Sequence, residues 1–229
     1  MRVVVTGANR GIGLEFARQC VARGDDVWAG VRSPTHSPEL ERSASGQSGE
    51  LHIVALDVDD IWSVGKFAEQ VGEAPLDLLI NNAGVSGQRA NALAEADAEQ
   101  AISTLETNAI GPLRVTQALL PVLRAARAKV IHISSNQGSI KENRDGGSYD
   151  YRMSKAALNM LARTMAAELK PEGIVSVLVS PGWVQTEMGG PDAPMTPRES
   201  VQGMLKLIET LTIDKSGGFF DAYGVPLDF

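Results

Sequence analysis

Seven short β-rich runs alternate with longer helical ones along this chain, and that alternation leaves few ways to fold it. The β-rich runs fall at 2–6, 26–31, 51–55, 76–81, 129–134, 175–180 and, more weakly patterned, 218–221. Helical spacing of apolar residues falls near 12–23, 61–71, 97–124, 154–170 and 197–210. The strands are apolar continuously rather than at every second position, which means that both faces are covered. Strand–helix alternation of this kind builds a parallel sheet with helices on either side. The fold class expected is α/β, a doubly wound parallel sheet of about seven strands. No repeat or linker divides the chain, so 1–229 reads as one domain. Segment 33–49, rich in Ser, Pro and Gly, reads as mobile surface.

Two helical runs carry further information. Run 97–124 contains Asn108-Ala109-Ile110-Gly111-Pro112. A proline inside a helix removes a donor and clashes with the preceding turn. A kink that frees backbone carbonyls around Asn108 is expected. Run 156–169 is apolar almost all round, interrupted by Asn159, Arg163, Thr164 and Glu168. Such a helix is buried on more than one side. One side covers the sheet; the other meets a second subunit or a wider core of the same chain.

The charge balance is 21 basic against 28 acidic residues, net −7, which argues against a nucleic-acid groove. No apolar run approaches the ~20 residues that span a bilayer. Run 2–6 is too short for a secretory signal. The single cysteine, Cys20, excludes an internal disulfide and fits a reducing, cytoplasmic setting. It lies in a helical pattern and reads as buried filler. His132, between two isoleucines, reads as a core histidine. His36 and His52 have no Cys, Asp or Glu cluster at ligand spacing, so no metal is expected.

Run 2–6 leads into Gly7-Ala8-Asn9-Arg10-Gly11-Ile12-Gly13 and then a helix. Glycines at a strand-to-helix turn let the backbone approach a phosphate, and the helix N-terminus offers free N–H groups. A pyrophosphate site is expected here, against the plainer reading of a structural bend. Sites for NAD usually carry an acidic residue at the end of the second strand. Here that strand ends Gly30-Val31-Arg32, and the carboxylates Asp25 and Asp26 stand at its start. Arg32 and Arg10 can clamp a 2′-phosphate, so NADP (NADPH) is favoured over NAD.

Tyr151-Arg152-Met153-Ser154-Lys155 opens run 156–169. Residues four apart share one helix face, so the phenol and the ammonium can point into one cleft. A nearby cation favours phenolate and makes tyrosine usable as an acid or base near neutrality.

With these pieces in order the chain resembles the short-chain dehydrogenase/reductase family over nearly its whole length. The resemblance rests on Thr6–Gly13, Asp57-Val58, Asn81-Asn82-Ala83-Gly84, Asn108, Ile133-Ser134-Ser135, Tyr151 with Lys155, and Ser180-Pro181-Gly182 followed by Thr186. The runs 151–159 and 217–224 look nearest to C-factor-like and sniffer-like carbonyl reductases. The resemblance implies a Rossmann-type domain and a catalytic set of Asn108, Ser135, Tyr151 and Lys155. Tyr151 would be the general acid or base, Lys155 its electrostatic partner and a ribose ligand, and Ser135 the group that polarises the substrate oxygen. Asn108 would keep a water in the kinked helix as a proton relay; the plainer reading is a helix defect. Cofactor contacts would come from Gly7, Asn9, Arg10, Gly11, Ile12, Gly13, Arg32, Asp57, Val58, Asn81, Ala83, Gly84, Tyr151, Lys155, Pro181, Gly182, Val184 and Thr186. Ser134 and Ser135 are adjacent, so only one faces the cleft, and the family pattern selects Ser135.

Ser135 and Tyr151 are sixteen positions apart, a little more than the family's usual spacing, and the added residues form a polar loop at 137–148. The segment 187–196 is short and rich in Gly and Pro where many relatives place a helical lid, so an open or mobile site is expected. Trp183, Met188 and Met195 supply its apolar wall or are ordinary packing. The activity expected is NADP(H)-dependent hydride transfer to a small-molecule carbonyl, or from the alcohol, in a homo-oligomer, dimer or tetramer. The alternative is a nucleotide-binding signalling or regulatory protein, C-factor-like, on the same scaffold. An epimerase or dehydratase of the extended relatives would need a larger C-terminal substrate domain.

Overall fold

The structure, a computed structural model, describes every residue except Arg89 and the side chains of His36 and Ala44. Seven strands form one sheet: β1 (Arg2–Thr6), β2 (Asp26–Val31), β3 (Glu50–Ala55), β4 (Leu78–Asn81), β5 (Lys129–Ile133), β6 (Val175–Ser180) and β7 (Phe219–Asp221). The order is β3-β2-β1-β4-β5-β6-β7, and all six pairings are parallel. Val3 pairs with Val27 on one side and Leu78 on the other, so β1 and β4 meet where the winding reverses direction. In open sheets of this kind the ligand crevice lies outside the carboxyl ends of the strands at that reversal.

The helices are α1 (Gly11–Ala22), α2 (Pro38–Ala44), α3 (Ile61–Val71), α4 (Ala98–Leu105), α5 (Gly111–Ala126), α6 (Tyr149–Leu169) and α7 (Pro197–Thr210). Strand β1 shows why two layers of helix are needed. Val3 and Val5 join Phe16 of α1 and Val201 of α7 in one core, whereas Val4 joins Phe67 of α3 and Leu119 of α5 in the other. Alternate side chains leave opposite faces of a strand, and here both sets are fully buried. Asp60 caps α3 by accepting from Trp62 N–H. Thr196 and Glu199 form a reciprocal capping box at the start of α7.

Three expectations change. Pro112 does not kink a continuous helix: residues Glu106–Ile110 form a π-turn between α4 and α5, and Pro112 sits in the first turn of α5. A proline there lacks only an N–H that has no helical partner. Segment 33–49, expected as mobile surface, contains α2, anchored by the fully buried Leu40 against the α1 side of the sheet. Helix α6 begins at Tyr149, five residues before the apolar pattern suggests, because Gly146, Gly147 and Ser148 in succession take left-handed backbone conformations that turn the chain into it.

Candidate active site

Tyr151 lies in the first turn of α6 and Lys155 one turn later. Lys155 Nζ stands 5.7 Å from the centroid of the Tyr151 ring. The ammonium donates to Ile133 O at 2.8 Å, at the carboxyl end of β5. It is 5% exposed, and burial pulls its pKa down to about 8. Gly138 makes this seat possible, because a Cβ there would stand 2.9 Å from the Lys155 backbone carbon.

Ser134 Oγ donates to Asn159 Oδ1 at 2.6 Å and is buried. Ser135 is half-buried, and its Oγ accepts from Gln137 N–H at 3.2 Å, leaving its O–H to donate. Of the two serines, Ser135 has the uncommitted hydroxyl. Asn108 lies in the π-turn, 1% exposed. Its Oδ1 accepts from Val85 N–H at 2.8 Å, and its Nδ2 donates to Val85 O and Ser154 Oγ, each at 2.9 Å. Each polar atom of the side chain is thus engaged by protein groups. A Cβ on Gly84 would stand 3.1 Å from Asn108 Oδ1 and 3.7 Å from Lys155 Nζ, so that glycine keeps the space between them open.

The cleft above these groups has a volume of about 440 Å³. Gly7, Asn9, Arg10, Gly11, Ile12, Gly13, Arg32, Asp57, Val58, Ala83, Gly84, Tyr151, Lys155, Pro181 and Thr186 line it, as read from the sequence. The glycine turn fits a dinucleotide pyrophosphate. Gly7 and Gly11 have φ of 65° and 54°, and a Cβ on Gly13 would lie 2.2 Å from Gly7 O. No side chain caps the N-terminus of α1, so its free N–H groups face the cleft without a competing acceptor. Arg32 has no carboxylate partner among the described residues, whereas Arg10 is paired with Glu187 across the cleft.

Four expected residues stand elsewhere. Asn81 is buried beneath the cleft: its Nδ2 donates to Thr116 Oγ1 at 3.1 Å and lies 3.4 Å from His132 Nδ1, and its Oδ1 has no partner. Asn82 takes the cleft position instead, donating through Nδ2 to Thr6 O at 2.9 Å and Gly7 O at 3.2 Å. Val184 is buried, paired with Met195 in a short bridge, and Gly182 is exposed beyond the lining. Ser135 borders the cleft floor beside Ser134 rather than lining it. The sequence missed Leu56, Asp59, Val85, Ser86, Thr107 and Glu187 in the lining. Asp59 had a signal, a second carboxylate two places after Asp57; burial raises its pKa, and Thr107 Oγ1 donates to it at 2.8 Å.

Segment 187–196 forms no helix, but it is tied down. Gln185 N–H donates to Met195 O, Gln185 Nε2 donates to Ala193 O, and Trp183 Nε1–H donates to Gly189 O at 2.7 Å. Met188 lines the cleft. Cys20 is buried with its thiol pushed up to about 12 by desolvation, which leaves it inert. One group among the described residues departs from the expectation of no ligand cluster. Asp26, Glu50 and His52 bring ligand-type atoms within 4.8 Å of one another, at the opposite end of the strands from the cleft. His52 pairs with Asp26 at 2.8 Å and stacks on Trp28. His36, the other histidine considered, lies outside the described side chains.

A family model described as short chain dehydrogenase matches residues 1–196. The chain belongs to the short chain dehydrogenase family. Within this family of oxidoreductases it is similar to C-signal of Myxococcus xanthus, 54% identical over 159 residues, which is 69% of this chain and 95% of that protein. Among solved structures it is similar to an NADPH-bound carbonyl reductase from chicken fatty liver, 39% identical, with a TM-score of 0.92 over 100% of this chain and 98% of that one. It is also similar to the carbonyl reductase Sniffer of D. melanogaster, 31% identical, with a TM-score of 0.93 over 100% and 99%. Like other short chain dehydrogenases it is an α/β protein with a Rossmann-type sheet, and no described helix is long and apolar enough to cross a membrane.

Proposed function

We propose that this protein is an NADP(H)-dependent carbonyl reductase, or alcohol dehydrogenase in the reverse sense, acting on small molecules. The observation that carries the reading is the meeting of the Tyr151 ring and the Lys155 ammonium at the floor of a glycine-lined cleft. Tyr151 gives a proton to the carbonyl oxygen in reduction and takes it back in oxidation. The Lys155 charge favours the phenolate and so lowers the cost of that transfer. Ser135 holds the substrate oxygen with its uncommitted O–H. The π-turn at Asn108 offers carbonyls to a water through which Lys155 recovers its proton. NADPH, when bound, supplies the hydride. Arg32 and Arg10 would hold its 2′-phosphate, Asp57 and Val58 its adenine, and Pro181 and Thr186, which line the cleft, its nicotinamide end. One unit, 1–229, carries all of this. The single buried Cys20 suits a reducing cytoplasm.

The test is purified protein with NADPH and a panel of aldehydes and ketones. Consumption of NADPH that depends on the carbonyl is expected. NADPH is also expected to bind more tightly than NADH, with Arg32→Asp losing roughly tenfold of that preference. Equal affinities in the unaltered protein would remove the phosphate clamp. A second reading, a nucleotide-binding signalling protein, is favoured by the likeness to C-signal. Tight NADPH binding with no consumption by any carbonyl would select it.

A further inference from the structure

We propose that Asp150 is a positioning residue that closes a circuit of hydrogen bonds around the backbone of Tyr151 and so fixes where the phenol stands. The proposal rests on the reading of Tyr151 as the proton-transfer group.

Asp150 is 5% exposed, an ionisable group inside the fold in no ion pair among the described residues. A buried carboxylate persists only when its oxygens are satisfied. Here two backbone N–H groups do this. Tyr151 N–H donates to Oδ1 at 2.8 Å, and Gln88 N–H donates to Oδ2 at 2.5 Å. Asp150 also lies in the first turn of α6, where the helix dipole favours an anion. Gly87 forms the wall. Its φ is 64°, and a Cβ there would stand 1.9 Å from Oδ2.

The bond to Gln88 links α6 to the loop that follows β4. Asn82 to Ser86 of that loop line the cleft. Three residues before Gln88, Val85 gives both its N–H and its C=O to Asn108. Asn108 Nδ2 donates to Ser154 Oγ, and Ser154 Oγ–H donates to Tyr151 O at 2.8 Å. The path therefore closes from Tyr151 N–H through Asp150, Gln88, Val85, Asn108 and Ser154 to Tyr151 C=O. Both backbone polar groups of Tyr151 are held by side chains tied to one loop and one π-turn. A second tie, Ser148 N–H to Ala90 O at 2.7 Å, pins the same loop just ahead of α6. Tyr151 cannot shift without moving Asn108 and the cleft wall with it.

Two variants open the circuit from opposite sides. Asp150→Asn leaves one acceptor oxygen for two N–H donors. Gly87→Ala keeps the carboxylate but forces the loop away from it. Each is compared with the unaltered protein by amide hydrogen exchange, by NADPH affinity from cofactor fluorescence, and by the pH profiles of kcat and KM. In the unaltered protein the Gln88 and Tyr151 amides are expected to be protected. In both variants they should exchange roughly tenfold faster or more. kcat should fall roughly 10- to 100-fold, and the limb of the pH profile that reports proton transfer should move by about half a unit or more. NADPH affinity should fall by less than kcat does, since the glycine turn that faces the pyrophosphate lies outside the circuit. Unprotected amides in the unaltered protein would overturn the circuit. So would variants with unaltered kcat and pH profile, or a fall in kcat matched by loss of NADPH affinity with the profile unmoved. If the unaltered protein reduces no carbonyl, the oxidoreductase reading fails by itself, and amide exchange alone decides the circuit.

Discussion

Lys155 and His132 are buried basic groups whose proton affinities the fold lowers, and both make stability depend on pH in the same direction. Lys155 gives up its proton near pH 8 in the folded protein and near its ordinary 10.5 when unfolded. Between those values the unfolded chain binds more protons, so stability rises with pH there. His132 is fully buried, and desolvation pushes it down to about 3 from 6.5, with Lys155 adding to the shift. Stability should therefore fall as pH drops below 6.5, by up to ~1.4 kcal/mol per unit. Urea titrations at pH 7 and pH 5 check this; His132→Gln should flatten the difference, and an unchanged slope would assign it to other groups. Ser148 makes a second prediction. Its φ of 45° suits glycine, and its side chain makes no capping bond. Ser148→Gly should stabilise by about 0.5–1 kcal/mol in the same titration. At this scale the Tyr151–Lys155 pair was legible because four-residue spacing is local. Asp150 was not, because its meaning lies in a partner 62 positions away.

At the scale of elements, the π-turn is the most informative difference from the sequence reading. The sequence located the irregularity at Asn108 but attributed it to Pro112. In the turn, Asn108 bonds Val85 and Ser154 at once, and single π-turns of this kind recur at functional sites. Helix α2 was hidden for another reason: one buried leucine in a Ser- and Pro-rich stretch gives no periodicity. The tied segment 187–196 leads to a further expectation. Glu187 and Arg10 pair across the cleft with both side chains largely exposed, so the pair itself is weak. If Arg10 holds a 2′-phosphate as proposed, Glu187 competes with it for the same guanidinium. Glu187→Gln should tighten NADPH binding by about two- to fivefold and leave NADH unchanged; equal effects on both would place Arg10 away from the 2′-phosphate.

For the whole molecule, continuous apolar strands sufficed to fix the parallel sheet, and its order puts the glycine turn, the end of β5 and the start of α6 around one crevice. The outer face of α6 retains Met153 and Met160, 55% and 68% exposed and two turns apart. Ile102 of the neighbouring α4 is 58% exposed. These suit a second copy, and Met160→Glu should lower the mass found by sedimentation from an oligomer to the monomer, whereas a monomer from the outset would leave α6 as outer surface. The central claim concerns one oxygen atom. Tyr151→Phe removes it while keeping the ring beside Lys155, and the direct measurement is turnover at saturating NADPH with a carbonyl that the unaltered protein reduces. The account expects NADPH to bind as before and turnover to fall by roughly a hundredfold or more. Turnover near that of the unaltered protein would contradict it.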